Sequence, residues 1–467
     1  MSVNDSKLTV KEKIGYGLGD TASNIVFQVV ANFMLIFYTD VFGISAAAAG
    51  TLMLVVRLFD GFTDPVMGGV ADRTRSKWGS YRPYLLFMAI PYGVLAVVAF
   101  TVPDFTDNGK LIYAYITYAL LMLLYTSINI PYSALGGVMT NNPKERASLQ
   151  SFRFAMAMAG MVIVVAILPQ LVTWFGQGDQ AKGYQYAMSV LAVLAVVCFL
   201  LCFKLTKEKP STEPLQNSSS MLSDFGSLFK NDQWVLITAI SVALLALIAL
   251  RGAITPHYVK YFLGDESLTA SFMTLGGIAS AAGAVATIFL SKRFGKKPLF
   301  IAGLTLGIIS HALLYVLPAT EIIAIYIIFI VANFVHMIVT PLLFSMVADT
   351  VDYGTKLNGR RLMAMTFSGH LLGIKLGFAI GGASAGWILA YTSYVPNQAQ
   401  TEEALNGLLF AFAGAPVIFL IISLILIKRY KLTESVLSDI QAELKQSETT
   451  PKPGEISTAP KENLAAT

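Results

Sequence analysis

The sequence predicts an all-α membrane protein that crosses the bilayer many times. Its mean hydropathy is +0.64, 55% of its 467 residues are hydrophobic, and only 13% are charged. Soluble domains carry about 25% charged residues. Apolar runs of roughly 20 residues, the length with which an α-helix crosses a bilayer, recur along the whole chain. Lipid is therefore the solvent for much of the surface of this protein.

Twelve apolar runs are predicted to be transmembrane helices. Their approximate ranges are 13–38, 46–71, 84–103, 111–138, 150–175, 184–204, 233–262, 268–291, 298–317, 321–349, 362–392 and 404–429. Basic residues cluster in the loops after spans 2, 4, 8 and 10, whereas the loops between them carry acidic residues such as Asp40 and Asp265. Because loops rich in lysine and arginine stay in the cytoplasm, we expect both termini to be cytoplasmic.

The twelve spans divide into two halves of six. The basic loop after span 2 has a counterpart after span 8, with the sequence SKRFGKKP, which indicates two related bundles. Within the segment that joins them, residues 221–229 have the apolar spacing of a short amphipathic helix, which would lie on the membrane surface or pack against the cytoplasmic ends of the bundle. The predicted organisation is an N-terminal six-helix bundle (1–205), a cytoplasmic middle loop (206–232), a C-terminal six-helix bundle (233–430) and a partly disordered cytoplasmic tail (431–467).

Several function classes are excluded by what the sequence lacks. The net charge is +5, but the basic residues lie in loops where they set topology, so no nucleic-acid partner is expected. No G-x-x-x-x-G-K-[ST] loop is present, which argues against an ATP-driven pump. Neither H-E-x-x-H nor G-x-S-x-G occurs, so metal-dependent or nucleophilic catalysis is not expected. We expect a membrane protein that is not an enzyme and needs no organic cofactor.

The second span carries two carboxylates in an otherwise apolar run. Asp60 and Asp64 are four residues apart and therefore share one face of a helix. An acidic side chain at the bilayer centre costs roughly 2.5–3.5 kcal/mol on insertion scales. Counting along the helices places Asn24, Asn129 and Lys375 at a similar depth, in one polar layer. Such a layer is typical of an ion-driven transporter, although polar groups in membranes also simply hold helices together.

Longer motifs resemble a known family. The runs YGLGD, RLFDGFTDPVMGGVADRTRSKWGSYRPY, YTSINIPYSALGGVMTNNPKER, KNDQW and VADTVDYG are similar to those of the glycoside-pentoside-hexuronide:cation symporters of the major facilitator superfamily, which include the melibiose permeases. The nearest subgroup is that of the xyloside and glucuronide-type carriers. The resemblance covers essentially the whole chain and implies the twelve-helix major facilitator fold and a multi-pass location in the cell inner membrane. A monomer is one option for the oligomeric state, which the sequence does not determine.

The resemblance implies a cation site on spans 2 and 4. In melibiose permeases, sodium binds two aspartates, an asparagine between them and a threonine. The matching positions here are Asp60, Asp64, Thr63 and Thr126. Thr63 replaces the asparagine, which keeps an oxygen but loses the amide, so the coupling ion can be Na⁺ or H⁺. If it is Na⁺, Asp60 and Asp64 are its expected metal ligands.

The family's sugar site implies a second set of residues, to which Arg251 on span 7 adds a contact from the other half. Both acidic residues of that site are amides in this chain and both tryptophans are absent, so we expect a more compact or anionic glycoside instead of melibiose. Arg251 has an alternative, which is to extend to the outer surface. The expected substrate-binding residues are Asn24, Asn129, Arg153, Lys375, Ser133, Thr340 and Arg251.

The predicted function is secondary active symport. A sugar or glycoside would enter with Na⁺ or H⁺ by alternating access, and the partners would be these small molecules and the lipid bilayer. The alternative is a proton-coupled exporter of drugs or amphiphiles. The polar layer favours the symporter, because pockets for amphiphiles are mostly apolar.

Overall fold

The computed structural model describes residues 7–140, 142–208, 226–359 and 362–449, and within these ranges every regular element is a helix. Most of the amphipathic helix predicted at residues 221–229 lies outside the described residues. The fifteen α-helices of the described ranges are α1 Val10–Ile36, α2 Ala46–Arg73, α3 Arg82–Phe87, α4 Ala89–Ala99, α5 Asp107–Val138, α6 Pro143–Gly176, α7 Gln180–Leu205, α8 Asp232–His257, α9 Thr269–Phe294, α10 Lys296–Val316, α11 Ile322–Asn358, α12 Met363–Tyr391, α13 Glu402–Leu409, α14 Ala415–Lys428 and α15 Glu434–Thr449.

Eleven helical segments of the described chain are long and apolar enough to cross a membrane. The remaining predicted span, the third (84–103), is instead divided into α3 and α4, which meet at Met88. Pro91 explains the break, because its ring displaces the carbonyl four residues earlier and it has no N–H to donate. Hydrogen bonds from Met88 N to Tyr84 O (3.0 Å) and from Tyr92 N to Met88 O (2.9 Å) continue across the junction. The two helices therefore follow one another as a kinked pair.

The first helix of each half ends in a wider, π-helical turn. The turn Phe37–Phe42 extends α1, and the turn Tyr258–Phe262 extends α8. Such turns are rare and are often found at functional sites. They lie together at one end of the molecule, called here the Asp40 end, where Tyr258 stacks on Phe412 with ring centroids 3.9 Å apart. A third π-helical turn, Phe410–Gly414, precedes α14 in the second half and contains Phe412.

Close packing of α2 against α12 joins the two halves. A Cβ atom at Gly386 would lie 2.5 Å from the carbonyl oxygen of Ala46 and 2.7 Å from Cα of Gly50, so the helices touch backbone to backbone, as small residues allow in membranes. The two helices are antiparallel and extend side by side away from this contact. Asp60 and Lys375 each lie ten or eleven residues away from it, about 15–17 Å at the helical rise. This register brings the two side chains to the same level.

The opposite end of the molecule carries the basic loops and is called here the basic-loop end. The tail helix α15 packs there, with Leu437 and Ile440 buried. Lys356 on α11 pairs with Glu443 on α15 at 2.6 Å. These contacts attach the described part of the tail to the second half.

Candidate carboxylate and cavity sites

The carboxylate pair on α2 is held by a threonine from α5. The Asp60 side chain is 1% exposed and that of Asp64 is 25% exposed. Thr126 Oγ1 lies 2.6 Å from Asp60 Oδ1 and 3.2 Å from Asp64 Oδ1. Because this hydroxyl is within reach of both carboxylates, it fixes their relative position.

Lys375 on α12 bridges the same two carboxylates. Its Nζ lies 2.9 Å from Asp60 Oδ2 and 2.5 Å from Asp64 Oδ2. It also lies 3.4 Å from the main-chain oxygen of Asp60. One ammonium group thus faces two carboxylates, and the cluster keeps one negative charge in excess when all three groups are ionised. We call Asp60, Asp64, Thr126 and Lys375 the carboxylate site.

Thr63, predicted to join this site, does not reach it. Its hydroxyl donates to the main-chain oxygen of Asp60, 2.9 Å away, on its own helix. Threonine hydroxyls often bond backward in this way within helices. Arg57, one turn before Asp60, lies against the rings of Phe27 and Phe378, 5.2 and 5.8 Å from their centroids. The cation at the carboxylates is therefore Lys375.

A ladder of polar side chains follows one face of α1. Asp20, Asn24, Gln28 and Asn32 recur every four residues, which places them on one helix face. Asn24 Nδ2 donates to Asp20 O at 3.0 Å, and Asn32 Nδ2 donates to Gln28 Oε1 at 2.9 Å. The predicted site residues include only Asn24 of these four. The four-residue spacing is a signal that identifies the other three.

Arg153 joins this ladder at its Asp20 end. Its Nε donates to Asp20 Oδ2 at 3.0 Å, and its guanidinium lies 5.2 Å from the ring centroid of Tyr132. Asn129 contacts α1 at another point, where its Oδ1 accepts from Ser23 Oγ at 2.8 Å. Arg153 and Asn129 therefore contact α1 at two separate points.

Ser133 and Thr340, the positions of the family's tryptophans, are not joined to these groups by any described hydrogen bond. Ser133 is exposed on α5. Thr340 is half-buried, and its hydroxyl donates to His336 O at 3.2 Å. The structure does not bring either side chain to the carboxylate site.

Arg251 is buried inside the second half and does not extend to the outer surface. Its Nη2 donates to Asn333 Oδ1 at 2.5 Å, and its Nη1 lies 3.1 Å from His311 Nε2. The guanidinium also lies 5.4 Å from the ring centroid of Phe329. The sequence indicates Arg251 as a candidate substrate-binding residue, but no pattern in it predicts Asn333 as the partner of Arg251.

A cavity of about 240 Å³ lies between the two halves. We call it the central cavity. Its walls come from α1, α6, α8, α9, α11 and α12. Gln28 and Asn32 of the α1 ladder line it together with Arg251, and aromatic rings from both halves complete the wall. The lining includes Phe27, Gln28, Asn32, Arg251, Phe329, Asn333, His336 and Phe378.

The carboxylate site offers oxygen donors for a coupling cation. Within the described residues, no group of three or more His, Cys, Asp and Glu side chains forms a metal cluster. Asp60 and Asp64 nevertheless offer four carboxylate oxygens beside the Thr126 hydroxyl, and hard cations prefer oxygen ligands. The site can equally accept a proton on one carboxylate.

Comparisons with known proteins decide the family. The sequence model of the MFS/sugar transport proteins matches residues 15–434. The chain belongs to this family. It is 40% identical over 442 residues to the inner membrane symporter YicJ of Escherichia coli (strain K12), covering 94% of this chain and 95% of that protein. It is 34% identical over 436 residues to the isoprimeverose transporter of Lactiplantibacillus pentosus, covering 92% of this chain and 91% of that protein.

The crystal structure of a D-xylose-proton symporter has the same fold. It matches with a TM-score of 0.64 over 91% of this chain and 98% of that one, at 14% identity, which is evidence for the fold alone. Together with the family match, it confirms the predicted all-helical major facilitator fold. The predicted membership of the glycoside-pentoside-hexuronide:cation symporters is also confirmed, as is a multi-pass protein of the cell inner membrane.

Proposed function

We propose that this protein takes up a sugar or glycoside together with Na⁺ or H⁺ by alternating access. The observation that carries the proposal is the bridge from Lys375 to both Asp60 and Asp64, at 2.9 and 2.5 Å. It connects the half that holds the candidate cation ligands with the half that holds the lysine. The names of the two relatives, a symporter and an isoprimeverose transporter, support the same class of function.

Competition for the carboxylates provides the coupling in this proposal. Two close carboxylates do not both ionise without a nearby cation, and Lys375 supplies that cation in the structure. A bound Na⁺ or proton would replace part of this attraction and free the ammonium group. The freed lysine could then donate hydrogen bonds to sugar hydroxyls. Substrate and coupling ion would thus favour each other's binding, although the ion binds the carboxylates and the sugar binds the lysine.

Closure at the Asp40 end supports the alternating-access part of the proposal. The Asp40 carboxylate accepts hydrogen bonds from Lys260 Nζ at 2.8 Å, from the Tyr394 hydroxyl at 2.5 Å and from the Tyr261 hydroxyl. Asn397 Nδ2 donates to the main-chain oxygen of Asp40 at 2.6 Å. These contacts join the first half to the second. We call Asp40, Lys260, Tyr261, Tyr394 and Asn397 the Asp40 latch.

The proposal includes a topology. The basic-loop end faces the cytoplasm because of its lysines and arginines, so the Asp40 latch faces outward and the structure is closed to the outside. The kinked pair α3 and α4 counts as one span, which gives twelve spans with both termini in the cytoplasm. The N-terminal bundle is 1–205, the middle loop 206–232, the C-terminal bundle 233–430 and the tail 431–467.

The direct test is uptake of labelled glycosides into proteoliposomes with an imposed Na⁺ gradient or an imposed pH gradient. We expect one of the two gradients, imposed together with a membrane potential, to drive accumulation, because one charge crossing 100 mV is worth about 2.3 kcal/mol, on the order of fortyfold. Asp60→Asn and Asp64→Asn should each abolish this accumulation. Persistence of uphill uptake in both variants would show that coupling occurs elsewhere. Gradient-driven efflux of amphiphiles, without glycoside uptake, would support an exporter.

A further inference from the structure

We propose that Arg251, Asn333 and His336 form a subsite in the central cavity for the anionic group of a sugar acid, such as the carboxylate of a glucuronide. This inference rests on the proposed function, since it names the class of sugar that the carrier takes. It assigns recognition of the charged group to the second half, away from the carboxylate site on α2.

The first observation is that Arg251 is buried without an acidic partner. None of the ion pairs between described residues includes it. Its partners are neutral: Asn333 accepts through Oδ1. His311 Nδ1 lies 2.8 Å from the Gly307 carbonyl, which can only accept, so this nitrogen carries the proton. His311 Nε2 is therefore the acceptor for Arg251, and the positive charge stays uncompensated.

The uncompensated Arg251 guanidinium in the central cavity is a binding group for an anion. Arginine stays protonated in proteins, and its planar fork of five N–H groups matches the two oxygens of a carboxylate. Only two of the five take part in the described hydrogen bonds. Charged groups inside membrane proteins are normally paired. Among the described residues that line the central cavity, no aspartate or glutamate is present to supply the opposite charge.

The second observation is a buried nitrogen without a partner. His336 lies one helical turn after Asn333 on α11, lines the same cavity and is 8% exposed. Its Nε2 makes no hydrogen bond with any described residue. Nearly all buried polar atoms have a partner, so a ligand atom is the expected one. Arg251 and His336 thus give the lining of one cavity a charged donor and an imidazole nitrogen that has no partner among the described residues.

The remaining wall of the central cavity suits a sugar. Gln28 and Asn32 of the α1 ladder offer amide groups, which can both donate to and accept from hydroxyls. Phe27 and Phe378 add aromatic rings to the lining. The volume of about 240 Å³ is below the roughly 300–1,000 Å³ of pockets for drug-sized ligands. The expected ligand is therefore a small glycoside with one anionic group.

The test compares methyl β-D-glucuronide with methyl β-D-glucoside, which differ only in the carboxylate at C6. Equilibrium binding is measured on the purified full-length protein in proteoliposomes. We expect the wild type to bind the glucuronide more tightly. Arg251→Gln should weaken glucuronide binding by about tenfold or more, the usual size for loss of a charge-assisted contact. The same variant should weaken glucoside binding less than glucuronide binding, so that the preference for the glucuronide falls, and Arg251→Lys should restore part of that preference.

A second variant keeps the test decisive if Arg251→Gln does not fold. His336→Gln breaks no described hydrogen bond of Nε2 and should lower glucuronide binding several-fold. His370→Gln is the matched control: His370 is another buried histidine with an unpartnered ring nitrogen, but it lies on α12 and is not part of the cavity lining. It should leave binding of both glycosides unchanged.

Two results would overturn the subsite. One is a wild type that binds the glucoside as tightly as the glucuronide, and the other is an equal loss of both glycosides in Arg251→Gln and His336→Gln. Failure of the proposed function has a different signature, because then neither ion gradient drives accumulation of either glycoside. A carrier that accumulates both glycosides without discrimination would retain the proposed function and lose only this inference.

Discussion

Among the described residues, two lysines of the second half, Lys260 and Lys375, pair with aspartates of the first half, and the two places differ in what else surrounds the carboxylate. Lys375 lies 2.9 Å from Asp60, and Lys260 lies 2.8 Å from Asp40. Asp40 also accepts from the Tyr261 and Tyr394 hydroxyls and from Thr39. Asp60 has Thr126 as its additional donor. A carboxylate surrounded by fixed donors suits a closed contact, whereas one held mainly by a lysine can exchange that lysine for another cation.

Lys375→Val is expected to have the largest effect. Removing the ammonium leaves Asp60 and Asp64 facing each other without a cation and removes the group that competes with the coupling ion. We expect gradient-driven accumulation to be abolished while the protein still inserts and purifies as a folded carrier. The measurement is uphill uptake into proteoliposomes, with membrane insertion followed in parallel. Unchanged uptake would mean that the lysine has no part in coupling.

Asp40→Asn should open the Asp40 end several-fold more often. An amide loses the ionic attraction to Lys260 but keeps the approximate shape, so the carrier should fold and the latch should weaken. The readout is the labelling rate of a Gln28→Cys variant by an impermeant thiol reagent added from outside. The native Cys198 and Cys202 are buried and give a low background.

Asp349→Asn is the matched control for the latch. Asp349 pairs with Lys296 at 2.7 Å, but both residues belong to the second half. This change removes an aspartate–lysine pair without separating the halves, so labelling of the Gln28→Cys variant from outside should stay unchanged. An equal rise in the labelling rate in both variants would indicate general loosening, and the assigned role of Asp40 would be wrong.

Gly386→Ala tests the packing that sets the register of Lys375. Its new Cβ would approach the Ala46 carbonyl and Gly50 closely, and inserting a methyl into close packing typically costs about 1–3 kcal/mol. We expect a lower thermal unfolding temperature together with weaker coupling. Gly69→Ala on α2 is the control, because no atom of the described residues lies within 4 Å of its added Cβ. Equal stability of the two variants would contradict the close contact.

Thr63→Val should have the smallest effect, because the Thr63 hydroxyl is engaged with the main chain of its own helix. We expect the cation dependence of uptake to change by less than about twofold. Thr126→Val, which removes the hydroxyl shared by both carboxylates, should raise the cation concentration needed for half-maximal uptake more strongly. The reverse order of the two variants would mean that Thr63 turns toward the cation during transport.

Local sequence patterns account for much of the candidate site. The spacing of Asp60 and Asp64 places both on one face of α2, and apolar runs locate eleven of the spans. The division of α3 from α4 is also accessible from the sequence, since Pro91 predicts a break one turn earlier. The α1 ladder is absent from the predicted site, apart from Asn24, although its four-residue spacing is visible in the sequence.

The sequence by itself determined which residues are expensive to bury and on which helix face each one lies, because hydropathy and the helical period act locally. It could not determine the partners. Asp20 pairs with Arg153, which is 133 residues away in the sequence, and Asp60 pairs with Lys375, which is 315 residues away. Arg251 lies between two neutral groups instead of facing an acid. The partner of each polar side chain depends on which helices touch and in what register. Close glycine contacts, such as Gly50 with Gly386, set that register, and they form only when both halves are packed together.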